Sequence, residues 1–386
     1  MRHTFDDTDE QALLRSTVAR IGAGFGHAAF AEAARRGEPA TALWNELAVG
    51  GFVGLNVPAE FGGGGMGVTE LAIVEEELAA AGCPLMMIVV SPAIAVPMLV
   101  RFGSDEQKHH WLPGLAAGTT KVAFAFTEPD AGSNAYRVAL RAERDGDGWR
   151  LNGAKHYISG VEEADAILVV ARTAWDPARE RAQLSLFLVP ADAAGLGRTP
   201  IEVEVKSAER QWALFFDDVV VPAEALLGAE GDGLRQLFHG LNPERILSAS
   251  VCVGLARYCL DKGVAYANER VVWDRPIGAH QGVSHPLARA AIALEAARVL
   301  TSRAAHRFDA GFEVGDEANM AKFLAAEAAS ACLDAAIQVH GAHGLATEFG
   351  LADLWGLVRL YGIAPVTREM VLNHVAQNVL GLPKSY

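Results

Sequence analysis

Apolar positions recur at helical spacing over the first 120 residues or so, and helices are expected over 11–34, 41–48, 68–81, 86–101 and 105–117. Thr69-Glu70 and Ser104-Asp105-Glu106 supply acceptors and negative charge for the free amides at two of these helix starts. From 121 to about 228 the pattern shortens into β-like runs rich in Val, Leu and Phe. Strands are expected over 166–171, 184–189 and 214–221, and Asn152-Gly153 reads as a hairpin turn between 149–151 and 155–158. After Gly231-Asp232-Gly233 the helical period returns over 234–269, 286–310 and 316–339, runs long for a globular protein. Paired long helices point to a bundle that also packs against other subunits. The order is α, then a small β domain, then α. The fold class is α+β multidomain, divided at 1–120, 121–228 and 229–386, with no internal repeat or low-complexity linker.

With 386 residues, 51% hydrophobic and 21% charged, the chain carries apolar material for two or three domains. Its net charge of -14, from 47 acidic against 33 basic residues, repels a phosphate polymer, so nucleic acid is excluded as a partner. Cys83, Cys252, Cys259 and Cys332 form no Cys-x-x-Cys pair and read as buried reduced thiols of a cytoplasmic protein. The start, Met1 to Asp7, has no apolar signal core. The most apolar stretch, 84–100, contains Pro84, Pro92 and Pro97 and reads as buried helix, not a membrane span.

Three motifs carry little weight. Gly62-Gly63-Gly64-Gly65-Met66-Gly67 fits G-x-G-x-x-G but lacks the preceding strand of a dinucleotide site, so a flexible loop is expected. His340 with His343, and His109 with His110, have no carboxylate or cysteine at ligand spacing, and no metal is expected. Gly132-Ser133-Asn134 is not the G-x-S-x-G nucleophile elbow.

The informative segment is Phe124-Ala125-Phe126-Thr127-Glu128-Pro129-Asp130-Ala131-Gly132-Ser133-Asn134: apolar residues lead into a turn whose amides and hydroxyls suit a polar ring edge or a phosphate. Taken alone, it is equally a structural turn. It resembles the signature of the acyl-CoA dehydrogenase family, and the likeness continues through Leu151-Asn152-Gly153-Ala154-Lys155-His156-Tyr157-Ile158-Ser159-Gly160 and Phe215 to Pro222. Asn268-Glu269-Arg270 with Gln281, and Gln338-Val339-His340-Gly341, extend it over essentially the whole chain. The resemblance implies an N-terminal helical domain, a central β domain and a C-terminal four-helix bundle, with FAD extended between the last two. Phe124, Phe126, Thr127, Gly132 and Ser133 would line one side of the flavin, and Tyr157, Ile158 and Ser159 the other. Ser159 stands where the family commonly has a Thr that reaches N5, and Tyr157 where it commonly has a Trp. Arg270, Trp273, Gln281, Gln338 and Gly341 would hold the nucleotide half from a neighbouring subunit of a homodimer or homotetramer, and Thr367 also belongs to the cofactor set. Ser133, Asn242 and Arg245 would contact the acyl-CoA.

The reaction needs a carboxylate to take the α proton of the thioester. The position that often carries this Glu in the family is Pro365 here, which is no base and has no N–H to offer the thioester carbonyl. A subset of the family carries the Glu before an Arg on another helix. Leu241-Asn242-Pro243-Glu244-Arg245 matches it, so Glu244 is the expected base, placed by Pro243 in the first turn of its helix, with burial outweighing the helix dipole in setting its pKa. Asp274, near the diphosphate position, is expected to point away. The resemblance implies dehydrogenation of an acyl-CoA with electrons passed to an electron-transfer flavoprotein; a same-fold oxidase or monooxygenase and a non-catalytic acyl-CoA-binding subunit are the alternatives.

Overall fold

The computed structural model describes residues 7–178 and 180–384; residues 1–6, on which most of the reading of the N-terminus rests, lie outside the described residues. The first helical region contains α1 (Asp9–Arg36), α2 (Thr41–Val49), α3 (Val68–Ala80), α4 (Met86–Val90), α5 (Val96–Phe102) and α6 (Asp105–Ala117). α6 starts as its local chemistry dictates: Ser104 accepts from Gln107 N, and the Gln107 side chain bonds back to Ser104 N. α3 starts at Val68 as expected, with Glu70 accepting from Gly67 N, but Thr69 supplies no acceptor and the other cap comes from far away. Asp309 accepts from Val68 N and Thr69 N at 2.8 Å each and from Thr69 Oγ1 at 2.6 Å. A π-helical turn, Ser91–Ala95, joins α4 to α5, and the 84–100 stretch is largely buried, as its apolarity requires.

The glycine loop at 62–67 is not a flexible one. Gly64 N, Gly65 N and Met66 N donate to Gly54 O, Val57 O and Leu55 O. A Cβ on Gly63 would meet Val57 O at 2.2 Å, so the glycines serve close backbone approach.

The middle region is one sheet of β1 (Val122–Ala125), β2 (Arg141–Asp145), β3 (Gly148–Ser159), β4 (Ala166–Asp176), β5 (Arg181–Pro190), β6 (Leu196–Ile201), β7 (Gln211–Val221) and β8 (Leu226–Leu227). The order is β6-β7-β3-β2-β4-β5-β8, with β1 parallel to β4. Asn152-Gly153 is not a hairpin turn. It lies inside β3, at a register shift against β7, and the turn is at Asp145–Gly148, where Gly146 has φ 59°. Asn152 is used differently: its side chain and Asp218 exchange two hydrogen bonds, which splice the irregular stretch of β3 to β7.

The last region comprises α7 (Gly233–Glu269), a short β9 (Val271–Val272) and β10 (Arg275–Pro276) ribbon, α8 (Gln281–Asp309), α9 (Gly315–His340), α10 (Trp355–Ile363) and α11 (Arg368–His374). The fourth arm of the bundle is thus two helices, separated by 364–367. α7 starts at Gly233, so Pro243 lies inside it and Glu244 stands 11 residues on, about three turns in. The first-turn placement expected for Glu244 is wrong. The Gly-Asp-Gly junction starts the helix, and packing tolerates the proline: Gly240 lies against Ile94 and Met98 with no room for a side chain. One apolar core joins both helical regions, with Leu71 and Val74 of α3, Leu247 and Val251 of α7, and Ala321 and Ala325 of α9 in the same cluster. Among the described residues, no helix is long and apolar enough to cross a membrane.

Candidate active site

β1 delivers Phe124 and then Phe126 and Thr127 to the end of the sheet, where the chain turns through 128–131. The turn is held from inside. Glu128 is buried and its carboxylate accepts from Ala139 N, Leu140 N and Lys155 Nζ, while Lys155 also donates to Phe126 O at 2.9 Å. His156 N donates to Thr127 O at 2.8 Å, which sews the signature turn to β3 just before Tyr157. Gly132 and Ser133 remain exposed at its rim.

Tyr157 is 55% exposed and sits at φ 57°, a conformation that L residues avoid. A strained backbone that turns an aromatic ring outward is the kind of local cost that functional sites carry. Ile158 differs from expectation in one respect: its side chain is in the β core, so only its main chain is left for a cofactor. Ser159 Oγ accepts from Gln211 Nε2 at 2.9 Å and donates to Gln211 Oε1 at 3.2 Å, so the Gln211 amide holds the hydroxyl in place. An aromatic face, a hydroxyl held by Gln211 and an exposed turn on one sheet end fit a flat, polar-edged flavin ring.

Glu244 is only partly exposed on α7. Burial raises its pKa to about 7, with Arg245 and Lys322 opposing the rise. The expected dominance of burial holds, and at three turns from the helix start the dipole has little reach. Arg245 Nη1 donates to Asn242 Oδ1 at 2.9 Å, so these two candidate substrate residues form a pair beside Glu244. Lys322, on α9, donates to Val366 O at 2.6 Å, beside the cis peptide bond Ala364-Pro365. Thr367 caps α11, its Oγ1 accepting from Met370 N. The segment expected to carry the alternative carboxylate is therefore tied to the bundle by a lysine.

The remaining candidates gather elsewhere. Arg270 ends α7, and Trp273, at φ 65° and 93% exposed, tips the β9–β10 ribbon. Asp274 turns to Arg275, 3.2 Å away. Gln281 opens α8 and Gln338 and Gly341 close α9, all three exposed. Tyr266 stacks on His340 at 4.2 Å and reaches His343 Nδ1 at 3.0 Å, joining the α7 end to the Gln338–Gly341 turn. The 26 residues from Glu244 to Arg270 on one continuous helix span about 39 Å. Within one chain, Glu244 and Arg270 therefore stand far apart.

Sequence reasoning missed Gln211, the Glu128–Lys155 pair and Lys322. Both lysines left a signal. Lys322 falls on the buried stripe of α9 with Ala318, Ala325 and Ala329, and Lys155 on the inward face of β3 with Trp149 and Leu151.

Family models for the N-terminal, middle and C-terminal domains of acyl-CoA dehydrogenase match residues 8–119, 123–219 and 231–380. Acyl-CoA dehydrogenase FadE12 of Mycobacterium tuberculosis is 48% identical over 99% of each chain. Butyryl-CoA dehydrogenase of Megasphaera elsdenii superposes with TM-score 0.92 at 27% identity, over 98% of this chain and 100% of that one. A glutaryl-CoA dehydrogenase of Mycobacterium smegmatis, solved with FADH2, gives 0.91 at 26%, over 98% and 97%. Three domain matches in order, a near-full-length relative and a sheet end shaped for a flavin agree: this chain belongs to the acyl-CoA dehydrogenase family, and its cofactor is FAD.

Proposed function

We propose that this chain dehydrogenates an acyl-CoA thioester between its α and β carbons, with Glu244 as the base. The observation that carries the assignment is the state of Glu244: a half-buried carboxylate raised to about 7, beside Arg245 and Lys322, on α7, whose Leu237 and Leu241 share an apolar cluster with Phe124 and Phe126. A base poised near neutrality takes a proton readily and can return it. FAD, when bound, accepts the hydride that leaves the β carbon.

The chain's own residues do the rest. Phe126 and Thr127 on one side and Tyr157 on the other hold the ring, and the Ser159 hydroxyl, oriented by Gln211, donates to its edge. Asn242 and Arg245 steer the thioester toward Glu244, which removes the α proton, and Ser133 at the turn meets the CoA moiety. Proline at 365 takes one amide hydrogen out of the segment tied to Lys322. The charge that develops on the thioester oxygen therefore draws on other donors, and losing one such donor costs a few kcal/mol in enzymes that depend on it.

Arg270, Trp273, Gln281, Gln338 and Gly341 would serve the cofactor of a second copy, which makes the working unit a homodimer or homotetramer. The distance of about 39 Å along α7 and the bare Trp273 support this reading. Electrons would leave through an electron-transfer flavoprotein, and the four buried unpaired cysteines fit a cytoplasmic location. Anaerobic mixing of the holoenzyme with short, medium, branched and ring-bearing acyl-CoAs tests the activity. Bleaching of the flavin absorbance with one of them, slow to reverse in air, is expected; rapid peroxide formation would instead assign an oxidase, and no bleaching with any thioester a binding subunit.

A further inference from the structure

Lys322 is 1% exposed, deep in the packing of α9 against α7. Its direct hydrogen-bond partner is a carbonyl, Val366 O, and no carboxylate among the described residues forms an ion pair with it. A buried ammonium in such surroundings is costly, and burial lowers its pKa to about 8. The groups around it are Glu244, Arg245 and Cys252 on α7 and Glu369 on α11. Glu244 in turn faces Arg245 on its own helix, Lys322 on α9 and Tyr361 on α10, and Tyr361 also neighbours Cys252, Glu75 and Glu209. Arg245 is partly engaged with Asn242. Leu247 and Val251 of α7 and Ala321 and Ala325 of α9 share one apolar core, and Lys322 is the cation set across that packing from Glu244.

We infer that Lys322 is a positioning residue for the base: its ammonium, set across the α7–α9 packing, favours the ionised form of Glu244, and its bond to Val366 O holds the 364–367 segment. The inference rests on Glu244 being the base. Two opposing effects act on that carboxylate, burial favouring the protonated form and the ammonium the ionised one. Removing the ammonium leaves burial with Arg245 alone against it, so the base would need a higher pH to work. The bond and the charge separate by substitution. Gln at this position still offers a donor to Val366 O but no charge, Met offers neither, and Arg keeps the charge.

The test is the pH profile of single-turnover flavin reduction by a saturating acyl-CoA that reduces the wild type, in Lys322→Met, Lys322→Gln and Lys322→Arg holoenzymes. Both uncharged variants are expected to carry their acidic limb about one pH unit higher, giving rates about fivefold lower at pH 7 that meet the wild type by pH 9.5. Arg is expected to restore the wild-type limb. An unmoved limb in an uncharged variant that retains FAD overturns the inference. So does failure of all three variants to hold FAD, which would assign Lys322 to the fold alone; if only Met fails, Gln is read in its place. Glu244→Gln is run alongside. Retained reduction there sinks the base assignment itself, whereas lost reduction there with unmoved limbs at 322 sinks only the role of Lys322.

Discussion

Lys155 Nζ lies 2.9 Å from Glu128 Oε1 and also 2.9 Å from Phe126 O, with both side chains buried. This pair clamps the signature turn to β3 from beneath, because Glu128 belongs to the turn and Lys155 to β3, two residues before Tyr157. Breaking a buried pair from one side leaves an uncompensated charge. Lys155→Met should cost ~3–5 kcal/mol of stability and release FAD. Urea unfolding and the flavin content of the purified protein measure both effects; a variant that keeps its FAD and its midpoint would remove the clamp from the account.

In the proposed arrangement Ser159 donates to the flavin edge in place of its 3.2 Å bond to Gln211 Oε1, while Gln211 Nε2 orients it. Ser159→Ala should keep FAD bound and slow anaerobic flavin reduction about tenfold, the value of one hydrogen bond of ~1.4 kcal/mol. Gln211→Ala should give a smaller loss of the same kind, since the hydroxyl survives without its orienting amide. Stopped-flow reduction of both variants decides, and equal rates in Ser159→Ala and wild type would contradict the role.

Glu209 tests the interior at the joint of the sheet and the helices. Its carboxylate accepts from Met87 N at 2.9 Å and Ser207 Oγ at 2.8 Å, and burial raises its pKa from an ordinary 4.5 to about 7, with Glu163 and the neighbouring Glu75 adding like charge. The folded chain therefore binds this proton more tightly than the unfolded one. Ionisation costs no stability below about pH 4.5, costs progressively more as pH rises to about 7, and is fully felt above. Glu209→Gln can accept from Met87 N and donate to the Ser207 hydroxyl, so it should melt higher than wild type at pH 8, by up to ~3 kcal/mol, and alike at pH 4.5. Melting curves at the two pH values check this, and a variant less stable at pH 8 would count against it.

How far these features were legible depends on whether their causes are local. α6 was read correctly end to end because Ser104 and Gln107 cap it within four residues. The start of α3 was placed correctly at Val68, but its capping group, Asp309, went unread because it comes from 240 residues away. Asn152-Gly153 and Asp145-Gly146 are both good turn signals, and pairing of β3 with β7 decides between them only in three dimensions. Pro243 usually marks a helix start, yet tertiary packing carries α7 through it. Glu244 could nevertheless be singled out as a candidate, because its place beside Arg245 is a matter of adjacent residues. Lys322 went unread, although a lysine in line with Ala318, Ala325 and Ala329 is the kind of misfit that a buried charge leaves in a helical pattern.

The most direct measurement is the rate of anaerobic flavin reduction by a saturating acyl-CoA as a function of pH in wild type and Glu244→Gln. With Glu244 near 7, the wild-type rate should rise through neutrality and level off above about pH 8, and Glu244→Gln should bind FAD and thioester yet lose at least a hundredfold in rate at every pH. A Glu244→Gln enzyme that still reduces its flavin at the wild-type rate, with the same acidic limb, would place the base on another residue.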